Sequence, residues 1–242
     1  MSIMTEGTPR APLLQLTGVE AWYGDSHVLH GVDLSLAKGE VVTLLGRNGA
    51  GKTTTLRSIM GLMQRSAGSV RHQGVEMLGL PPERVARRGI GYCPEERGIF
   101  ASLDVEENLL LPPVVQPGGL SLDEVYDLFP VLRERRRSQG TKLSGGEQQM
   151  LALGRLLRTG SDMLLLDEPT EGLAPVIVRQ IGSIIRDLKS RGFTLLVVAQ
   201  DFHFALGIAD RHCVMENGRI VDSLTAAEMQ TGMARVQTYL GV

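Results

Sequence analysis

Apolar positions along this chain fall into two rhythms. Short runs rich in Leu, Val and Ile, closed by Gly or Asp, occupy residues 13–19, 28–36, 40–45, 68–71 and 89–93, which is the pattern of strands. Residues 52–62 carry a helical spacing instead. From about residue 100 to 160 the character turns helical, interrupted by Pro112, Pro113, Pro117, Gly118 and Gly119. Strand-like runs return at 163–166, 194–199, 211–215 and 218–222, with a helix over 175–190 between the first two. A further amphipathic helix follows the polar turn after Ala199. Strands alternating with helices predict an α/β domain with a largely parallel sheet. A helical insertion over about 95–160 forms a second lobe in this reading, with about 13–94 and 161–242 making the rest of a single domain. No internal repeat or low-complexity segment is visible.

Bulk numbers narrow the classes little. The chain has 242 residues, 43% of them hydrophobic and 21% charged, with a net charge of −2, so nothing pulls it in bulk toward nucleic acid or acidic lipid. The run Arg133-Glu134-Arg135-Arg136-Arg137 reads as a solvated helix face rather than a phosphate-binding patch. Cys93 and Cys213 have neither metal spacing nor a disulfide framework around them. Both sit in apolar stretches and read as small buried hydrophobes, which fits a reducing compartment. Residues 1–12 are polar, contain two prolines and lack an apolar h-region, so they read as a flexible tail. No apolar run approaches the roughly 20 residues of a membrane span. The expectation is a soluble protein, or one held to a membrane by partners.

Three motifs carry chemistry. Gly46-Arg47-Asn48-Gly49-Ala50-Gly51-Lys52-Thr53-Thr54 follows an apolar strand and opens a helix, the context a phosphate loop requires. Its glycines let backbone N–H groups converge on an anion at a helix N-terminus. Lys52 can reach the β- and γ-phosphates, and the Thr53 hydroxyl can ligate Mg²⁺. Downstream, the strand 163–166 ends in Asp167 and Glu168. Asp167 is suited to hold Mg²⁺, and Glu168 to orient or deprotonate an attacking water. The third motif is Leu143-Ser144-Gly145-Gly146-Glu147-Gln148-Gln149. Ser144 and Glu147 form a capping box, and Gly145 and Gly146 leave bare amides at the start of that helix. A chain with a complete phosphate loop needs no second anion site for the same phosphate, so this one is expected to serve a nucleotide held by another subunit.

With these residues assembled, the chain resembles the ATP-binding cassette (ABC) ATPases over nearly all its length, residues 143–149 being similar to the signature motif of that family. The resemblance implies a P-loop NTPase cassette: a mixed-sheet core of RecA type, an N-terminal β-subdomain and the helical insertion. It also implies a head-to-tail pair of subunits, homo- or heterodimeric, with two ATPs sandwiched between phosphate loops and opposing Ser144, Gly145 and Gly146. Tyr23 matches the aromatic that stacks on adenine. Glu171-Gly172-Leu173-Ala174-Pro175 matches the loop that crosses the interface, where the family more commonly has Ser-Ala-Leu-Asp. Glu95, in Pro94-Glu95-Glu96-Arg97, falls at the Mg²⁺-sensing position usually held by glutamine.

These departures, together with Glu106-Glu107-Asn108-Leu109, Ala199-Gln200-Asp201 and the Tyr239-Leu240-Gly241 ending, resemble the ATPase subunits of importers for branched-chain amino acids, urea and short amides. Members carry glutamine where the family's switch histidine usually sits. Gln200 is then the residue that faces the γ-phosphate, and His203, one turn into the next helix, is a helix-face residue. The implied setting is the inner face of the cell membrane, with cytoplasmic ATPases bound to separate permease subunits and, indirectly, an extracytoplasmic solute-binding protein. No nucleic-acid partner is expected. The alternative is a soluble ABC ATPase acting on DNA or ribosomes, although such proteins usually carry coiled coils or fused cassettes. A P-loop kinase or GTPase conflicts with residues 143–149.

Overall fold

Residues that alternate between two apolar environments, with no polar face, need cover on both sides. The central strands have that property: β3 (Val41–Leu45), β7 (Met163–Asp167) and β8 (Thr194–Ala199) are buried at every position. The computed structural model of the chain describes residues 11–229, 232 and 233. Residues 1–10 of the anticipated tail and the Tyr239-Leu240-Gly241 ending lie outside the described residues.

With β6 (Ile90–Cys93), β9 (Arg211–Glu216) and β10 (Arg219–Thr225), these strands form a six-stranded sheet of order β10-β9-β3-β8-β7-β6. All neighbours are parallel except β9 and β10, an antiparallel hairpin at the edge. One face takes Val41, Leu45, Leu164, Leu166, Leu195 and Val197 into a core shared with helices α6 (Gly145–Arg158) and α7 (Pro175–Ser190). The other face takes Val42, Leu44, Leu165, Leu196 and Val198 against α1 (Lys52–Ile59) and a second sheet. That second sheet is antiparallel, of order β2-β1-β4-β5, built from β1 (Leu14–Tyr23), β2 (Ser26–Leu36), β4 (Arg65–His72) and β5 (Val75–Glu76).

The expected strands are present with shifted ends. β1 runs four residues past Val19 to Tyr23 and β4 starts at Arg65, and a register shift between Thr17 and Glu20 breaks the alternation that would have revealed both. Gly68 (φ +96°) lies at this irregularity, where a Cβ would fall 2.4 Å from the Gly18 carbonyl oxygen. The first helix stops at Ile59 rather than residue 62. β5 and α2 (Pro82–Ala86) are too short for periodicity to show.

Between β6 and β7 the chain is helical: α3 (Val105–Leu110), α4 (Leu122–Leu128), α5 (Pro130–Glu134), a 3₁₀ turn at Gly140–Lys142, and α6. The Arg133–Arg137 run is exposed throughout, as expected, but it covers the end of α5 and the turn after it rather than one helix face. Cys93 and Cys213 are free and buried.

Asn108 ties this lobe to the loop leaving β6. It is fully buried; its Oδ1 accepts from the Phe100 amide at 3.0 Å, and its Nδ2 donates to the carbonyls of Phe100, Leu103 and Asp104. Asn108→Ala strands several of these groups and is expected to destabilise the chain by about 2–3 kcal/mol, read as a lowered denaturant midpoint.

Candidate functional site

The phosphate loop starts where β3 runs out. Gly46 must pass so close to β9 that a Cβ there would sit 2.3 Å from the Met215 carbonyl oxygen. Gly51, at φ +107°, is the N-cap of α1 and supplies no capping side chain, and no acidic residue occupies the first turn. The first amides of α1 are therefore not claimed by a side-chain cap and form the positive end of the helix dipole. Lys52 reaches back over the loop: its Nζ donates to the Gly46 carbonyl (2.8 Å) and the Arg47 carbonyl (3.2 Å) and lies 3.5 Å from Glu168 Oε1.

Asp167 is the last residue of β7 and is buried, with one oxygen accepting from the Thr53 hydroxyl (3.0 Å) and the other from the Tyr92 hydroxyl (3.1 Å). Burial raises its pKa, and the Thr53 and Tyr92 hydrogen bonds oppose that rise. Glu168 follows in the left-handed region, φ +48°, with its amide donating to the Val198 carbonyl. This backbone turn, rather than strand alternation alone, puts Glu168 in the cleft while Asp167 stays buried directly beneath it, behind Thr53. Burial pushes the Glu168 carboxyl up as well, against the pull of Lys52 and Gln200.

Gln200 stands directly after β8. Its Nε2 donates to Asn48 Oδ1 (2.7 Å) and Glu168 Oε1 (3.1 Å), joining the phosphate loop to the carboxylate. His203 is only the second residue of α8 (Phe202–Leu206), not one turn in, because Asp201 caps that helix through the amides of His203 and Phe204. It lines a groove against α7 that adjoins the nucleotide cleft and shares Glu168, Glu171 and Gln200 with it, but His203 itself does not line the cleft.

Tyr23, Asn48, Gly49, Gly51, Lys52, Thr53, Thr54, Glu95, Glu168, Glu171 and Gln200 line one cleft of about 500 Å³. Gly46, Arg47 and Ala50 shape the loop without lining that cleft. Tyr23 closes one end, 45% exposed, with its hydroxyl accepting from Arg57 at 3.4 Å. Thr53, Asp167 and Glu95 offer only oxygen donors, a set that suits a hard divalent cation such as Mg²⁺. Among the described residues no three His, Cys, Asp or Glu side chains converge on a closed metal cage. An open pair of carboxylates is nevertheless what Mg²⁺ takes when substrate phosphates complete its shell.

Ser144, Gly145, Gly146 and Glu147 do not line this cleft. The capping box is present: Glu147 N–H donates to Ser144 Oγ (3.3 Å) and Ser144 N–H to Glu147 Oε2 (2.7 Å). Ser144 is exposed at the tip of α6. Gly146 packs so tightly that a Cβ would lie 2.9 Å from Ile177 of α7. Two residues of the cleft's surroundings escaped the sequence reading. Tyr92 gave no signal beyond its place in strand β6. Arg57, on α1 one turn beyond Thr53, was detectable only by counting helix positions.

An ABC transporter family model matches residues 29–171. Over 232 residues the chain is 44% identical to the high-affinity branched-chain amino acid transport ATP-binding protein BraG of Pseudomonas aeruginosa, covering 95% of this chain and 100% of that one. The lipopolysaccharide export system ATP-binding protein LptB of Escherichia coli K12 is 34% identical, with 90% and 93% covered. A nucleotide-free ATP-binding cassette from an ABC transporter superposes with a TM-score of 0.81 at 25% identity, covering 96% of this chain and 99% of that one. This chain belongs to the ABC transporter family, within which it is an ATP-binding cassette.

Proposed function

We propose that this chain is the ATP-hydrolysing subunit of an importer for branched-chain amino acids or related small polar solutes, working on the inner face of the membrane through separate permease subunits. The observation that carries the chemistry is Gln200, whose amide spans Asn48 and Glu168. The solute class is supported by full-length similarity to BraG, stronger than that to LptB, and by the Pro94–Arg97, Glu171–Pro175 and Gln200 sequences. No described helix is long and apolar enough to cross a membrane, in keeping with permeases supplied by other chains.

In this reading Tyr23 stacks on the adenine, and the amides from Gly46 to Thr54 cradle the phosphates. Lys52 exchanges its bonds to the loop carbonyls for β- and γ-phosphate oxygens. Thr53, Asp167 and Glu95 would hold Mg²⁺, which when bound neutralises charge on the phosphates. Glu168 takes up or orients the proton of the attacking water, and Gln200 donates to a γ-phosphate oxygen while steering that water. Ser144, Gly145, Gly146 and Glu147 act on the nucleotide of a second cassette, and that cassette's counterparts act on this one.

Glu168→Gln is expected to leave ATP bound but nearly unhydrolysed. Gln200→Ala should slow turnover by about 100-fold, within the range of general-base and positioning effects, whereas His203→Ala stays within about twofold of the parent. Steady-state hydrolysis by the three variants checks this, and a slow His203→Ala beside a fast Gln200→Ala would overturn the assignment.

Only ionised Glu168 and Asp167 serve the reaction. Because burial raises both carboxyls, kcat/KM for ATP is expected to fall as pH drops through a range above that of ordinary carboxylates. Glutamine does not titrate, so Gln200→His should add a limb near neutrality that the parent lacks. For the transport role, mild detergent extraction with a tag on this chain is expected to bring down permease chains and a second cassette. Recovery with ribosomes or DNA-bound proteins would contradict it.

A further inference from the structure

On the flank of the molecule, remote in its lining from the nucleotide cleft, a second hollow of about 440 Å³ is lined by His72, Gln73, Arg84, Arg87, Arg88 and Gln116, with Leu80 beside them. That volume falls within the roughly 300–1,000 Å³ of ordinary ligand sites. Arg84 belongs to α2, and Arg87 and Arg88 follow directly after it. All three are exposed, and among the described residues none forms an ion pair.

The contrast with the other arginine cluster is informative. Arg133 pairs with Asp123 and Asp127, Arg135 with Glu147, and Arg137 with Asp104 and Glu106. Three adjacent guanidinium groups left without carboxylates around a concavity are a different arrangement, and one that attracts an anion. His72 adds an independent indication. His72 lines the hollow although only 2% exposed, and its Nε2 is buried there without a hydrogen-bond partner. An orphaned buried ring nitrogen is costly unless something fills the role of partner. Gln116, whose Nε2 donates to the Arg87 carbonyl at 2.8 Å, fixes the backbone between two of the arginines. Acids do oppose this field: Asp162, which acts on His72 and lies beside Gly89, and the exposed Glu83, next to Arg84 on α2 and four residues before Arg87, although it pairs with neither arginine.

We propose that this hollow binds a phosphate-bearing anion, held by Arg84, Arg87 and Arg88 and lined by His72, Gln73 and Gln116. Guanidinium forks match phosphate oxygens two at a time, which a lysine cannot do. The same chemistry is offered by a soluble phosphate ester or polyphosphate and by the headgroup of an anionic phospholipid.

Two probes separate the sources. Pyrophosphate is titrated into the full chain by calorimetry with the phosphate loop already filled by ADP. Sedimentation is run with phosphatidylcholine vesicles, alone or mixed equally with phosphatidylglycerol. ADP binding is recorded first, so a failure of the nucleotide site shows separately. Binding of pyrophosphate marks a soluble ligand, and binding to the mixed vesicles only marks a headgroup; either supports the site. The triple variant Arg84→Gln, Arg87→Gln, Arg88→Gln should weaken whichever binding is seen by about tenfold or more, the scale of a lost charge-assisted hydrogen bond, with ATP hydrolysis unchanged. The corresponding triple lysine variant keeps the charge and should still bind more weakly than the parent. Failure of the parent chain to bind either probe, undiminished binding by the glutamine variant, or full affinity in the lysine variant would each overturn the proposal.

Discussion

Parallel pairing sets Leu45 opposite Ala199 and Asp167 opposite Val198, so β3, β8 and β7 end at one level of the sheet. Each strand then delivers its own chemistry at that level. β3 releases the phosphate loop, β7 releases Asp167 and Glu168, and β8 releases Gln200. Slipping any strand by one residue would turn its inward side chains to the opposite face. Because both faces of all three strands are packed, such a slip would mispack the two cores at once. Cleft and core are therefore fixed by the same pairing, and ligands in open α/β sheets gather outside the carboxyl ends of the strands for this reason.

Within that frame the local forces are electrostatic. Glu168 and Lys52 in the cleft, and Asp167 buried beneath it, are held away from bulk water, where isolated charge is expensive. The structure compensates with short, specific partners: Thr53 and Tyr92 on Asp167, and Lys52 and Gln200 on Glu168. Burial still wins at both carboxyls, which stay above their ordinary pKa values. Such a site is suited to take a divalent cation and phosphates, because their charges complete a set that the protein alone leaves strained.

Much of this was legible in the sequence because it depends on local patterns. The strand–glycine–helix context of residues 40–62, the capping box at Ser144 and Glu147, and the apolar runs ending at Asp167 and Ala199 all announce themselves over a few residues. What escaped depends on long-range geometry. The positive φ of Glu168 has no compositional sign. The antiparallel sheet was blurred by the shift near Gly18, and β5 and α2 are shorter than one period of any pattern. Tyr92 and Arg57 reach the site only through the pairing of β6 with β7 and the packing of α1.

Helix α6 of this chain starts with Ser144 exposed and outside the cleft of its own phosphate loop, which suits it, in the function proposed, to complete the nucleotide site of a second cassette. The direct measurement mixes Lys52→Ala chains with Ser144→Arg chains and follows ATP hydrolysis. Each variant is expected to be nearly inert alone and the mixture to recover activity, because a mixed pair retains one intact phosphate loop facing one intact signature. Hydrolysis at the full rate by Ser144→Arg alone would contradict that expectation.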